Sequence, residues 1–255
     1  MNKSKLYIVG IGPGGLSHIT PAAVSAINQS NVIVGYSTYI KLIEELIESQ
    51  GTTPQKEIID TGMTKEIERC TLAIQRAIAG NIVSIICSGD PGIYAMAGLV
   101  FQLLKIYPKI SVEVIPGVPA LSAAASRLGA PLMNDFASIS LSDRLTPWEM
   151  IEKRVHAVSS SDFVIVFYNP KSKGRKDHLK NAVNIILKYR DPITPVGIVK
   201  SATRINEKVI VTTLDNIPYD EVDMQTIVIV GNSKTLNIDG LIVTPRGYEY
   251  KYELK

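Results

Sequence analysis

"LYIVGIGPGG", residues 6–15, joins an apolar run to a glycine-rich loop. The apolar run predicts a buried strand, and the glycines at 10, 12 and 15 fit the pattern G-x-G-x-x-G. Because glycine has no Cβ, such a loop lets the backbone approach a ligand closely. The stretch therefore predicts an α/β fold with a ligand at the end of its first strand.

The ligand of this loop is not expected to be a nicotinamide dinucleotide. A dinucleotide fold needs an acidic residue about 20 positions further on, but residues 31–38 read NVIVGYST. Pro13 also removes one backbone N–H from the loop. The sequence thus favours a glycine-rich turn that serves another ligand.

Composition excludes several classes of protein. The 255 residues are 45% hydrophobic and 20% charged, with a formal net charge of +3, so we expect neither a nucleic acid nor a membrane as partner. Cys70 and Cys87 form no C-x-x-C pair, and the three histidines lie far apart. We therefore expect no protein-bound metal, and we expect two buried thiols in a reducing cytoplasm.

Short apolar runs alternate with longer helical patterns along the whole chain. This alternation predicts two α/β domains with mostly parallel sheets. The predicted strands are 5–9, 32–34, 56–59, 82–87, 111–115, 137–141, 163–167, 194–199, 209–213 and 226–230. The predicted helices are 21–28, 39–49, 65–79, 95–105, 148–157 and 176–188.

The helix predicted over 65–79 has a clear apolar face. Its spacing predicts Thr64 as the N-cap and Gly80 as the residue that ends the helix. The residues expected on the buried face are Ile67, Cys70, Ile74, Ala77 and Ile78.

The segment RLGAPLMND at 127–135 interrupts this rhythm. We place the domain boundary there and predict an N-terminal domain over 1–132 and a C-terminal domain over 133–255. Ligands of such sheets bind beyond the carboxyl ends of strands. The candidate loops are GIGPGG at 10–15, SGDPG at 88–92, PGVPAL at 116–121 and YNPKS at 168–172.

Longer motifs around these loops resemble the tetrapyrrole methylase family. They are GIGPGG with the downstream HITPA at 18–22, SGDPGIYAMAG at 88–98 and VIPGVPALSAAASRLGAPL at 114–132. Five further segments resemble the precorrin-3B C17-methyltransferase group of that family. They are GMTKEIERC at 62–70, SLSDRLTPWE at 140–149, YNPKSKGR at 168–175, GNS at 231–233 and TPRGY at 244–248.

The resemblance implies a fold, a reaction and a cofactor. The implied fold is that of the class III methyltransferases, usually homodimeric, with S-adenosylmethionine held between two domains and released as S-adenosylhomocysteine. The implied reaction is methylation of C17 of precorrin-3B or cobalt-factor III with ring contraction, in cobalamin biosynthesis. The acceptor is a tetrapyrrole polycarboxylate, and any cobalt belongs to this substrate.

The resemblance also implies residues that bind the methyl donor. Related methylases often carry Met in place of Asn169 and Gly in place of Ala202. An Asx turn is the alternative role of Asp90, since Asp often closes such turns. The implied donor contacts are Pro13, Gly89, Asp90, Ile93, Pro119, Ala120, Asn169 and Ala202.

Ring contraction implies proton transfers and therefore an acid or a base beside the macrocycle. The candidates are Asp143, Arg144 and His18, with Glu66 and Arg69 as further possibilities. Basic residues next to the motif loops are expected to bind the carboxylates of the acceptor, because arginine pairs with a carboxylate through two hydrogen bonds. These residues are Arg144, Lys171, Arg175, Arg204 and Arg246.

One alternative role for a segment and two alternative functions of the protein stay open at the level of the sequence. The basic cluster at 171–176 is also compatible with a solvated helix start. A methyltransferase of the same fold with another corrin carbon or ribosomal RNA as its acceptor is the first alternative function, although few aromatic residues accompany the basic ones. A non-catalytic tetrapyrrole-binding protein is the second, and the intact donor loops argue against it.

Overall fold

The structure, a computed structural model, describes residues 4–48, 56–62 and 64–253. The chain divides by its internal packing into two compact units, residues 1–120 and 121–255. The domain boundary that the sequence places after residue 132 lies further along the chain, and it stays a prediction.

Unit 1 contains a five-stranded sheet in the order β3-β2-β4-β1-β5. All of its strand pairs are parallel, as the continuous apolar runs of its central strands predict. The strands are β1 Lys5–Gly10, β2 Val32–Tyr36, β3 Glu57–Thr61, β4 Ile82–Cys87 and β5 Ser111–Ile115.

Helices alternate with these strands. The first helix begins at Pro21, and the Thr20 side chain caps it by accepting a hydrogen bond from the Ala23 N–H at 3.1 Å. The helices are α1 Pro21–Gln29, α2 Ser37–Lys41, α3 Glu44–Glu48, α4 Glu66–Ile78 and α5 Ala97–Leu103, with short 3-10 turns at Leu16–His18 and Leu104–Ile106. Helix α6 Ala120–Leu128 follows β5, and all but its first residue belongs to unit 2.

The sheet of unit 1 is covered on both faces. One cluster of buried side chains packs α4 and α5 against the sheet, with Ile74 and Val100 among its members. The other packs α1 and the segment around Ile40 and Ile43 against the opposite face. A parallel sheet buried in this way presents its chemistry at the strand ends rather than on its faces.

Unit 2 contains a second five-stranded sheet, in the order β10-β9-β11-β8-β7. Only β7 and β8 pair in parallel, while the other three pairs are antiparallel. The prediction of parallel pairing thus holds throughout the first sheet, whereas the second is mixed. Its strands are β7 Phe136–Ser140, β8 Val164–Tyr168, β9 Pro195–Lys200, β10 Lys208–Thr213 and β11 Thr226–Val230.

Two further helices and a small sheet accompany the mixed sheet and α6 in unit 2. The helices α7 Trp148–Ser160 and α8 His178–Ile186 pack on the mixed sheet around Phe167 and Ile186. The small sheet has the order β12-β13-β6, with β6 Gly129–Ala130, β12 Leu236–Ile238 and β13 Leu241–Val243. Two 3-10 turns lie at Tyr219–Glu221 and Tyr248–Tyr250.

Two sequence predictions differ from the structure in unit 1. The single helix predicted over 39–49 is two short helices, α2 and α3, and its last residue lies outside the described part of the chain. The N-cap of α4 is Lys65, and Thr64 precedes it in the left-handed region with φ 65°. The prediction that Gly80 ends the helix is confirmed, since it follows the C-cap Ala79 and has a left-handed φ of 96°.

Within the described ranges, no helix combines the length and the apolar character needed to cross a lipid bilayer.

Candidate active site

The order of the first sheet brings three glycine-rich loops to one edge. Strand β1 pairs with β4 on one side and with β5 on the other. The loops that follow these strands, residues 10–15, 88–92 and 116–121, therefore lie side by side at the carboxyl edge of the sheet. We call them the glycine loops. Such an edge is where ligands of parallel sheets bind.

The first two glycine loops are joined through their backbones. The N–H of Gly12 donates to the carbonyl of Gly89 at 3.2 Å, and the N–H of Gly89 donates to the carbonyl of Gly12 at 2.7 Å. Both residues have positive φ, 77° and 68°, a conformation that glycine adopts without a steric penalty. The two hydrogen bonds form an isolated antiparallel bridge beyond the parallel β1–β4 pair, and this bridge joins the backbones of the two loops.

The glycine loops meet too closely for side chains. A Cβ on Gly10 would lie 2.6 Å from the carbonyl oxygen of Gly89 and 2.7 Å from the nitrogen of Gly117. A Cβ on Gly117 would lie 2.7 Å from the carbonyl oxygen of Gly10. The close approach that the sequence predicts is therefore an approach of the loops to one another.

Asp90 links two of these loops. Its Oδ1 accepts a hydrogen bond from the Gly92 N–H at 2.8 Å, which is the Asx turn foreseen as an alternative. Its Oδ2 accepts from the Gly117 N–H at 3.1 Å and so ties the second loop to the third. Both oxygens are engaged, although a carboxylate retains lone pairs for a further donor. A direct contact between Asp90 and a methyl donor stays a prediction.

The other predicted donor contacts of unit 1 lie on the same loops. Pro13 is buried in the first loop, and Ile93 is half-buried beside Tyr94, which adopts a left-handed φ of 53°. A Cβ on Gly89 would lie 3.6 Å from the nitrogen of Ala120 and 3.8 Å from the Cα of Pro119. The structure thus places these residues on loops at one edge of the sheet, and their contact with a methyl donor stays a prediction.

His18 lies just beyond the first glycine loop, in a 3-10 turn. Its Nδ1 is 3.1 Å from the hydroxyl oxygen of Ser17, and its carbonyl oxygen would lie 2.7 Å from a Cβ placed on Gly12. The backbone of His18 therefore supports the first loop. A catalytic role for its imidazole stays a prediction.

Two further candidates for acid or base chemistry lie in α4. Glu66 is its first residue. Arg69 is buried, at 5% exposure, and donates through Nε to Thr61 Oγ1 at 2.7 Å and through Nη2 to the Gly62 carbonyl at 2.9 Å. These contacts anchor the end of β3 to α4.

In unit 2, loops at the carboxyl ends of β7, β8 and β9 share one edge of the mixed sheet. Strand β9 runs in the same direction as β8, because both pair antiparallel with β11. Asn169, which follows β8, has φ 52° and donates through Nδ2 to Ser140 Oγ at 3.0 Å. Its side chain thus holds two strand ends together.

Ala202 lies between two residues with left-handed backbone. Ser201 has φ 50° and Thr203 has φ 65°, and Thr203 donates its N–H to Glu207 Oε2 at 2.5 Å. Non-glycine residues in this region cost about 1–3 kcal/mol each and occur preferentially at functional sites. The turn after β9 is therefore held in an unfavourable conformation by its surroundings.

Asp143, Arg175 and His178 form a cluster at this edge, which we call the acid–base cluster. The Nε2 of His178 is 3.0 Å from Asp143 Oδ2, and Arg175 Nη1 is 3.8 Å from Asp143 Oδ1. The ring of Trp148 meets the imidazole edge to face at 4.5 Å. The hydrogen bond from His178 lowers the pKa of the Asp143 carboxyl, with a smaller contribution from the Arg175 charge.

Arg175 is buried rather than open to a substrate. It is 7% exposed, donates through Nη1 to Ser142 Oγ at 2.9 Å, and places Nη2 3.3 Å from Met224 Sδ. Its Nε has no hydrogen-bond partner among the described residues. The structure therefore makes Arg175 an internal support of the cluster.

The remaining basic candidates do not gather at one place. Arg144 is exposed next to the cluster, and Lys171 donates to the Tyr219 carbonyl at 2.7 Å. Arg204 lies in the turn after β9, where its backbone N–H donates to the Ser201 carbonyl. Arg246 lies at the opposite edge of the sheet, where it lines a cavity of about 450 Å³ with Asp135 and Phe163.

His178 is the member of this site that the sequence motifs did not single out. It follows the basic cluster at 171–176 by two residues and begins α8. The only signal for His178 in the sequence is its place after a strand-end loop. Its partner Asp143 is 35 residues away in the chain, so the sequence does not show the pair. The described residues include no group of three or more His, Cys, Asp or Glu side chains placed to hold a metal ion.

These features define the class of the protein as an α/β protein of two units, with glycine-rich loops at the strand ends of the parallel sheet in unit 1. The family model for tetrapyrrole (corrin/porphyrin) methylases matches residues 5–218. The chain belongs to this family, and the resemblance read from its motifs is confirmed.

Two relatives of known name share about half of their aligned residues with this chain. The chain is 50% identical to a probable cobalt-factor III C(17)-methyltransferase of Salmonella typhimurium, over 95% of this chain and 99% of that protein. It is 49% identical to a cobalt-factor III methyltransferase of Priestia megaterium. That match covers 99% of this chain and 46% of the relative, so the chain spans about half the length of that protein.

The fold is shared with a solved methyltransferase. The crystal structure of the methyltransferase CobJ matches with a TM-score of 0.86 and 31% identity, covering 95% of this chain and 100% of that one. The predicted fold class is therefore confirmed.

Proposed function

We propose that this protein is an S-adenosylmethionine-dependent methyltransferase that methylates C17 of cobalt-factor III or precorrin-3B, with ring contraction, in cobalamin biosynthesis. The observation that carries the proposal is the 50% identity to the Salmonella protein over nearly the full length of both chains. The names of the two relatives favour cobalt-factor III as the acceptor. Two free, buried cysteines are consistent with a reducing cytoplasm.

The glycine loops fit the chemistry of the methyl donor. S-adenosylmethionine has an adenine ring, ribose hydroxyls, an amino acid end and a positively charged sulfur, and peptide N–H and C=O groups can bind each of these. At Gly89 an added Cβ would fill the space beside Pro119 and Ala120. We assign donor contacts in unit 1 to Pro13, Gly89, Asp90, Ile93, Pro119 and Ala120.

Unit 2 is proposed to contribute Asn169 and Ala202 to donor binding. Both follow parallel-running strands, and left-handed backbone occurs at Asn169 and on both sides of Ala202. A small residue at 202 leaves room for a ligand, and the amide of Asn169 offers both a donor and an acceptor.

Positioning accounts for methyl transfer in this mechanism. The methyl carbon passes in line from the sulfonium sulfur to an electron-rich ring carbon, and holding the two reactants in this geometry contributes several kcal/mol. We propose that Arg144, Lys171 and Arg204 attract the acceptor carboxylates. Arg175 acts indirectly because it is buried, and Arg246 would meet a peripheral carboxylate only.

Product mass spectrometry tests the proposal. Purified protein is incubated with S-adenosylmethionine and either cobalt-factor III or metal-free precorrin-3B. We expect a gain of one methyl group on cobalt-factor III. No gain on either acceptor, with S-adenosylhomocysteine still binding in calorimetry, would refute C17 methylation and point to another acceptor of this fold, such as another corrin carbon or ribosomal RNA.

The family resemblance also motivates the proposal of a homodimer. Light scattering at micromolar concentration should then give twice the 27.8 kDa mass of the chain. A mass of one chain at the same concentration would contradict it.

A further inference from the structure

We infer that His178 is the residue that accepts the proton released during methyl transfer, and that Asp143 positions it. This inference rests on the proposed methyltransferase function. It reassigns Asp143, which the sequence suggested as a catalytic group, to a role that acts through its neighbour.

Charge balance requires a proton acceptor in this reaction. When the methyl carbon leaves sulfur, the electron pair of the C–S bond stays on sulfur and neutralises the sulfonium. The new C–C bond uses an electron pair of the macrocycle, so the positive charge moves to the macrocycle. The macrocycle becomes neutral again when a proton leaves one of its C–H, N–H or O–H bonds and the bonding pair stays behind. That proton needs a base.

The geometry of His178 suits this task. Its Nε2 lies 3.0 Å from the Asp143 carboxylate, so the tautomer with a proton on Nε2 is favoured and Nδ1 carries the free lone pair. Within the described residues, Nδ1 makes no hydrogen bond, and the side chain is 18% exposed. The imidazole is therefore oriented but still open on one side.

The surroundings hold this arrangement in place. Trp148 of α7 packs against the ring, and Arg175 lies beside the far oxygen of Asp143. Among the described residues, Asp143 pairs with the imidazole and Arg175 pairs with Asp143, so the two charges of the cluster oppose one another. An imidazolium formed at His178 would be stabilised by the carboxylate next to it, as in other carboxylate–histidine pairs.

Three of the other residues proposed for proton transfer, His18, Arg69 and Arg144, lack these features. His18 shares its Nδ1 with Ser17, and Arg69 is buried and bonded to Thr61 and Gly62. The guanidinium of Arg144 offers hydrogen-bond donors only. His178 combines a free lone pair, an orienting carboxylate and partial exposure.

The test compares His178→Gln with a matched control in the same unit. His156 also pairs with an aromatic residue, since its Nδ1 is 2.9 Å from the Tyr189 hydroxyl, so His156→Gln controls for the loss of an imidazole. In single-turnover assays, His178→Gln should lower the methylation rate by about 100-fold or more. His156→Gln should leave the rate unchanged.

Two further measurements separate catalysis from folding. Free imidazole should restore part of the rate of His178→Gly, and S-adenosylhomocysteine affinity should stay the same in both variants. If the wild-type enzyme methylates its acceptor and His178→Gln does so at the same rate, the inference is overturned and the proposed function stands.

A binding measurement decides the case if the wild-type enzyme methylates neither acceptor. Histidine ring signals are then recorded by NMR with S-adenosylhomocysteine bound, before and after addition of cobalt-factor III, with His178→Gln identifying the signal. A shift of the His178 signal on addition supports the inference. An unmoved His178 signal with the acceptor bound would overturn it.

Discussion

Gly117 stands where the third glycine loop touches the first two, so a methyl group there has no room. We expect Gly117→Ala to lower the free energy of unfolding by about 2–3 kcal/mol, because backbone atoms rather than flexible side chains would have to move. Urea unfolding measures the change.

Gly98 provides the control for this substitution. It lies in α5, and an added Cβ would meet no heavy atom within 4 Å. Gly98→Ala should therefore raise the stability by about 0.5–1 kcal/mol. Equal losses from both substitutions would show that the close contact of the loops is not what makes Gly117 necessary.

Asp90 should show whether its role is structural, ligand-binding or both. Asp90→Ala removes the acceptors for two N–H groups and should cost about 1.5–3 kcal/mol of stability. Asp90→Asn keeps one side-chain oxygen and should cost less. If Asp90 also contacts the methyl donor, calorimetry with S-adenosylhomocysteine will show weaker binding to both variants. Unchanged affinity in Asp90→Asn would restrict the residue to joining loops.

At this scale the sequence predicted the glycine loops well and the acid–base cluster only in part. A glycine in a strand-end loop carries its own signal, since it marks a backbone that needs space. His178 carries none, because its partner Asp143 lies on another strand-end loop and meets it only through the β7–β8 pairing. Arg175 was expected to bind carboxylates, but burial beside Ser142 and Met224 could not be read from its neighbours in the chain.

Among the elements, helix α1 is stabilised at its carboxyl end by a lysine that lies outside the helix. Lys56 donates through Nζ to the carbonyls of Ile27, Asn28 and Ser30 at 3.0, 2.9 and 2.6 Å, at the carboxyl end of the helix. We expect Lys56→Met to lower the stability by about 0.5–1.5 kcal/mol, because it leaves these carbonyls without a charged donor. Thermal unfolding measures it, with Lys105→Met as the control at an exposed site. No difference between the two variants would contradict this role.

Element boundaries were predictable where the apolar pattern was strong. Every predicted strand corresponds to a strand of the two five-stranded sheets, with ends that differ by a few residues. The buried face of α4 was only partly right: Cys70, Ile74 and Ala77 are fully buried, whereas Ile67 is 65% exposed. Spacing gives the direction of a face, but neighbouring elements decide how far it is covered. The three-stranded sheet was missed because its strands have only two or three residues.

Across the whole molecule, the two units carry separate reporters of unfolding. Both cysteines lie in unit 1 and the single tryptophan lies in unit 2, and the buried clusters contain residues of one unit each. We expect thiol exposure and tryptophan fluorescence to follow different denaturant transitions, since units with their own cores need not unfold together. Coincident transitions would contradict this expectation.

The same thiols give a prediction about pH. Burial raises the pKa of Cys70 to about 11 and that of Cys87 to about 12. A raised pKa lowers the thiolate fraction, so at pH 8 only on the order of one thiol in a thousand is reactive at Cys70. Iodoacetamide should label native protein very slowly and unfolded protein fast, as mass spectrometry can follow. Rapid labelling of the native chain would show that unit 1 opens readily.

The α/β organisation in two units was predictable because the strands of each sheet appear in the sequence as apolar runs. The mixed pairing of the second sheet was not predictable. Strand direction depends on connections that the apolar pattern does not encode. The loop after β9, for instance, is marked in the sequence only by small and polar residues, yet the strand it follows runs with β8 and opposite to β11.

The joined glycine loops also determine which substitutions such a protein tolerates in evolution. Every residue has a peptide group, so the backbone shape of the glycine loops is kept when most surrounding side chains are exchanged, provided that Gly10 and Gly117 are retained. Mutations would then accumulate around the loops without loss of their shape, while the same number of changes in a side-chain pocket would erase it. Saturation mutagenesis should accordingly find few intolerant positions in this region, and most of them should be glycines.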